Sequence, residues 1–145
     1  SESIDYAHVT WAQLNEMLAS GLVEVQNHSY DLHSYTPARH GCLPNAGESE
    51  ADYAQLLRAD LQRLQDALAE HSGCTPDTFA YPDGKYSDRT DRVLRDKGFQ
   101  ATLSCVWGIN RLTHDPACLY RLRRICRSHG QPLSAALERA YKAAP

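Results

Sequence analysis

The stretch Leu22–Tyr35, LVEVQNHSYDLHSY, decides how the rest of this 145-residue chain is read. Leu22, Val23 and Val25 have the apolar, β-branched content of a short buried strand, and the segment then turns polar and carries His28 and His33. A strand ending in a histidine-bearing loop delivers imidazoles to the carboxyl edge of a sheet, where α/β folds build their sites. Two neutral imidazoles at i and i+5 in a turn can converge on one ion. One added carboxylate gives the two-histidine, one-carboxylate set suited to an open zinc or iron site. Spacing alone leaves the alternative open, two solvated or hydrogen-bonded loop histidines with Tyr30, Asp31 and Leu32 as turn and packing residues.

The flanking sequence supplies the frame. Thr10 and Gln13 read as a capping box, and Trp11, Leu14, Met17 and Leu18 share one face of a short helix that Ser20 and Gly21 end. From Tyr35 to Gly47 the residues Pro37, Gly41, Pro44, Asn45 and Gly47 mark a long loop expected to overhang the histidines. Cys42 in that loop is a minor option for a further metal ligand, a buried idle thiol being the commoner fate. Tyr53, Leu56, Leu57, Leu61, Leu64 and Leu68 recur at helical spacing between Ser49 and Ser72, with charges on the other face and Gly73 as the stop.

Thr78 to Tyr81 reads as a strand, and Pro82, Asp83 and Gly84 force a tight turn after it. Ser87 caps the next helix, which runs through Val93 and Leu94 to Lys97 and closes at Gly98. Phe99 to Cys105 is read as a third strand and Leu119 to Cys126 as a fourth, and Pro132 opens a last helix with Leu133, Ala136, Leu137, Ala140 and Tyr141 on one stripe. This alternation predicts one α/β domain spanning 1–145, with mostly parallel strands, right-handed crossovers and helices outside.

Composition narrows the function classes. The net charge of −3 without a basic run argues against nucleic acid and membrane surfaces as partners. No stretch approaches the ~18 apolar residues of a membrane span. The five cysteines are scattered without a Cys-x-x-Cys, so neither a disulfide framework nor a cysteine zinc module is signalled.

Taken together, SGLVEVQNHSYDLHS, FAYPDGKYSDRTDRVLRDKGFQATLS and LYRLRRI resemble, in order, segments of the polysaccharide deacetylases of the NodB-homology group. The resemblance covers about Thr10 to about Ile125. It implies a partial or distorted (β/α) barrel that removes N-acetyl groups from an amino-sugar polymer of chitin, poly-N-acetylglucosamine or peptidoglycan type, using a divalent metal, usually zinc. His28 and His33 match the metal-binding histidines, and the amide of Asp83 stands where the family has an oxyanion donor. Tyr81, Pro82 and Gly84 of that loop, with Tyr35, are expected to face the substrate, and the polymer class implies an extracellular, cell-wall or periplasmic setting.

Family members begin with a strand ending in two aspartates, the general base and the third metal ligand, and no Asp-Asp occurs in this sequence. The chain is therefore expected to be the C-terminal portion of the barrel, with impaired activity alone. Asp5 and Asp31 do not match the family position. Ala80 stands where many relatives carry an arginine, and the late general-acid histidine is assigned by location to His129, a solvated loop histidine being the alternative. Two other readings remain: a non-catalytic sugar-binding remnant with Trp11, Trp107 or Tyr35 stacking on pyranose rings, and self-association through an exposed sheet edge.

Overall fold

The computed structural model describes residues 8–33 and 39–142. Helix α1 (Trp11–Ala19) starts on Thr10, whose hydroxyl accepts the Gln13 N–H while the Gln13 side chain accepts the Thr10 N–H at 2.8 Å. That reciprocal pairing is the predicted capping box. α1 buries no residue and leans on the next helix, with Asn15 Nδ2 donating to His71 O at 2.9 Å and the Trp11 ring 4.6 Å from that of His71.

Helix α2 (Glu50–Ser72) runs from the Ser49 cap to Gly73, which takes the left-handed φ of 68° that glycine adopts without steric cost. Its buried face is Tyr53, Leu57, Leu61 and Leu68, and the first three join Cys42, Phe79, Tyr81, Val93, Leu94 and Phe99 in one core. Each fully buried aliphatic side chain there stabilises the fold by about 1.5–3 kcal/mol relative to exposure.

The sheet has three strands in the order β1 (Thr78–Ala80), β2 (Ala101–Trp107), β3 (Leu122–Arg124), all parallel. Parallel neighbours require crossovers. Helix α3 (Asp88–Asp96), capped by Ser87, makes the first, and a loop with a 3-10 turn at Pro116–Leu119 makes the second. Helix α4 (Leu133–Lys142) closes the described chain, burying Ala136 and Ala140. No helix among the described residues is long and apolar enough to cross a membrane.

The expected strand at Leu22–Val25 is not formed. The segment meets the sheet only at the isolated parallel bridge Asn27–Phe79, where Asn27 N–H donates to Thr78 O and Ala80 N–H donates to Asn27 O. The reason is local: the Gln26 side-chain carbonyl accepts the Thr78 N–H at 2.9 Å, taking a donor that a continuing ladder would use. Leu22, at 90% exposure, lies outside the core. The other strand limits shift as well. Phe99 N–H closes the end of α3 on Leu94 O, so β2 starts later than Phe99, and Leu119 belongs to the 3-10 turn rather than to β3.

Two buried phenols tie this frame together. The Tyr53 hydroxyl donates to Cys42 O at 2.6 Å and lies 2.7 Å from the Thr90 hydroxyl, while the Tyr81 hydroxyl donates to Asp91 and bonds Thr102 at 2.8 Å. Asp91 in turn accepts Arg121 Nε at 2.6 Å. Burial pushes the Tyr53 phenol up to about 12, and burial followed by the bond to Asp91 raises that of Tyr81. An unfolded tyrosine ionises near pH ~10, so the stability held by the neutral phenols is complete below that pH and lost as pH rises through the folded values. The urea midpoint is expected to fall between about pH 10 and 12, and to fall less steeply in Tyr53→Phe. A midpoint flat across that window in the wild type contradicts the buried phenols.

Candidate active site

The histidine loop is built on Asn27, fully buried at the bridge to β1. Asn27 Oδ1 accepts the Ser29 N–H at 2.8 Å, and Ser29, at a φ of 70°, turns the chain so that its hydroxyl accepts the Leu32 N–H at 3.1 Å. This fold-back brings the rings of His28 and His33 to a centroid separation of 5.1 Å at 51°. His28 Nδ1 lies 2.7 Å from Ala80 O, so the carbonyl fixes Nδ1 as the protonated nitrogen and leaves the Nε2 lone pair for a ligand.

Asp83 comes to the same place from the end of β1. The turn Pro82–Gly84 is closed by Gly84 N–H to Tyr81 O at 3.0 Å and Lys85 N–H to Pro82 O at 3.0 Å. Asp83 sits in it at φ 53°, a left-handed conformation that costs a non-glycine residue about 1 kcal/mol or more. Its carboxylate Oδ1 lies 3.4 Å from His33 Nε2. Ser29 and Asp83 are two of the three non-glycine residues with positive φ among the described residues, and both shape this site.

Of the residues expected here, His28, His33 and the Asp83 loop are brought together. Tyr81 and Pro82 are not substrate surface: both are buried, Tyr81 completely. Phe79 and Tyr81 share the inward face of the strand, which by its period of two sends both rings into the core. Gly84 is half-buried against Cys105, and Tyr35 and Asp5 lie outside the described residues.

His129 is exposed beyond β3, in a turn closed by Gln131 N–H to Ser128 O, and no hydrogen bond or ring contact among the described residues joins it to the pair. The sequence also holds a Leu-x-His at Leu112-Thr113-His114, in the exposed loop between β2 and β3, which the assignment by location passed over. The Cys42 thiol is buried in the core, and burial raises its pKa, which removes it as a ligand. Trp11 lies against the His71 ring, and the Arg139 guanidinium sits 5.0 Å from the Trp107 ring centroid. Among the described residues no group of three or more His, Cys, Asp or Glu is placed to hold a metal ion. The two histidines fit as part of a ligand set.

What the sequence reading missed is Asp60, whose carboxylate accepts the Tyr30 N–H at 3.0 Å and the Asp31 N–H at 2.8 Å. A signal was present. Asp60 falls at i+3 from Leu57 and i+7 from Tyr53, a charge on the inward stripe of α2.

A parallel sheet whose first strand ends in a proline-glycine loop, with a histidine pair bridged to that strand through Asn27, defines an α/β domain with its candidate site beside the end of β1. The sequence profile of polysaccharide deacetylases matches residues 3–102, and the chain belongs to that family. Comparison with curated proteins finds no match.

Among solved structures, the chain is similar to IcaB from Ammonifex degensii, with 32% identity and a TM-score of 0.70 over 90% of this chain and 53% of that one. It is similar to the BpsB deacetylase domain from Bordetella bronchiseptica, with 30% identity and a TM-score of 0.62 over 79% of this chain and 48% of that one. A de-N-acetylase from Aggregatibacter actinomycetemcomitans matches at 25% identity and a TM-score of 0.61, over 79% of this chain and 47% of that one. The chain thus spans about half the length of these relatives.

Proposed function

We propose that the protein supplies the histidine side of a metal-dependent site that removes N-acetyl groups from an amino-sugar polymer of chitin, poly-N-acetylglucosamine or peptidoglycan type. The observation that carries this reading is the pairing of His28 and His33 with the Nδ1 of His28 held by Ala80 O. Neutral imidazoles suit zinc, which when bound supplies Lewis-acid polarisation of an acetyl carbonyl and a water of lowered pKa.

The chain's own residues do the rest. Asp83 keeps the His33 ring turned to the sheet edge through its carboxylate, and its backbone N–H donates to the acetyl oxygen as that atom gains charge. In this reading the general base and third ligand come from polypeptide beyond these 145 residues, since the aspartate pair of the resemblance does not occur in them. The descriptions of two relatives as a deacetylase domain and a de-N-acetylase support it.

The test is acetate release from N-acetylglucosamine oligomers by the zinc-loaded protein, for this chain and for the product of the complete reading frame. Release by the complete product, abolished by a chelator and weak or absent in this chain, is the expected result. No zinc-dependent release from the complete product sinks the reading.

A further inference from the structure

Resting on that reading of His28 and His33, we propose that Asp60 is the positioning residue of the pair: from α2 it holds the turn between the two histidines and thereby sets their separation. Among the described residues, the bonds from Asn27 to Ser29 and from Ser29 to Leu32 are local to the turn, while the His28 and His33 rings at its two ends reach Ala80 O and Asp83. Asp60 reaches the turn from 30 and 29 residues away and takes two successive N–H groups, one on each carboxylate oxygen. An ionised carboxylate is acceptor-only, so it satisfies both donors at once with charge-assisted bonds. An amide in its place faces one of those N–H groups with its own NH2.

The placement on α2 explains why this residue is suited to the task. Asp60 is half-buried on a 23-residue helix whose inward face is fixed by Tyr53, Leu57, Leu61 and Leu68. One turn on, the Arg63 guanidinium lies 3.8 Å over the Tyr30 ring. Two turns back, Tyr53 holds Cys42 O, and the Cys42 N–H donates to Lys85 O at 3.2 Å, next to the Pro82–Gly84 turn. One rigid helix therefore grips both loops of the site, the histidine loop through Asp60 and the Asp83 loop through Tyr53 and Cys42. Ser29, at positive φ, gives the loop a conformation that needs such a hold.

The test uses Asp60→Asn and Asp60→Ala with two readouts on the metal-free protein and one on the zinc-loaded protein. In both variants the Tyr30 and Asp31 amides are expected to exchange with solvent at least ~10-fold faster while α2 amides keep their protection. The nuclear Overhauser contact between the His28 and His33 rings, expected in the wild type from their 5.1 Å centroid separation, should disappear. Zinc affinity, measured by competition with a chromophoric chelator, is expected to fall about 10- to 100-fold. A ring-to-ring contact that survives in both variants overturns the proposal, whatever the amides do, as does unchanged zinc affinity in a wild type that binds zinc. A wild type that binds no zinc removes the metal reading and leaves the ring contact as the judge of Asp60.

Discussion

Replacing His28 or His33 by alanine is expected to reduce zinc retained after desalting from about one ion per chain to none, with the fold intact. His28 and His33 are the donors the proposed site draws from the described residues, and removal of either leaves a single histidine, too weak to compete with water for the ion. Both side chains are exposed, so the loss is limited to the bond from His28 to Ala80 O or the contact of His33 with Asp83, and unfolding free energy should stay within about 1.5 kcal/mol of wild type. That combination separates a lost ligand from a lost fold. On the proposed reading, the same substitutions in the product of the complete reading frame are expected to remove several kcal/mol of transition-state stabilisation, on the order of a thousandfold in rate at about 1.4 kcal/mol per decade. Zinc retained at wild-type stoichiometry in either variant would show that the pair is not the metal site, and the adjacency of the two rings would then need another explanation.

The parts of this site differ in how far the sequence discloses them. Helix limits are local chemistry, and Thr10 with Gln13, Ser49, Gly73 and Ser87 each stand where a cap is needed and are found capping. The histidine pair is local too, five residues apart in one turn. What spacing does not disclose is which donors take which acceptors across the fold. Leu22, Val23 and Val25 have strand composition, but Gln26 occupies the Thr78 N–H with its side chain and the ladder stops at one bridge. Tyr81 precedes a turn and invites a substrate-facing reading, whereas its place two residues after Phe79 sends it into the core beside Asp91 and Thr102. Asp60 is a charge on an apolar stripe, a signal visible in the sequence, but its partners at Tyr30 and Asp31 become evident only when α2 is laid against the loop.

Gly84→Ala is expected to be a severely damaging single methyl addition at the site. Gly84 takes φ 64°, and a Cβ built there falls 2.6 Å from Cys105 Cβ, 2.9 Å from its Sγ and 3.3 Å from its backbone nitrogen. The left-handed conformation alone costs alanine about 1–2 kcal/mol. The steric conflict is with the root of a side chain on β2, which cannot swing away as a long chain would. The Pro82–Gly84 turn must therefore lift off the sheet, and Asp83, adjacent in the chain, moves with it. A shift of about 1 Å in a positioning group costs on the order of a hundredfold in rate, so acetate release in the complete protein should fall by about that factor. Zinc binding should change less than the rate, because Ala80 O, which holds His28, and the bridge at Asn27 lie before the turn, and only His33 loses the Asp83 carboxylate that orients it. Cys105→Gly removes both the Cβ and the Sγ that the new methyl meets, and the double variant Gly84→Ala/Cys105→Gly should recover most of the rate, leaving the cost of the backbone conformation and the 3.3 Å approach to the backbone nitrogen of residue 105. Cys105→Ala keeps the Cβ contact and should recover little. Equal recovery by the two second-site changes would mean that the loop is displaced by backbone strain and not by the cysteine beneath it.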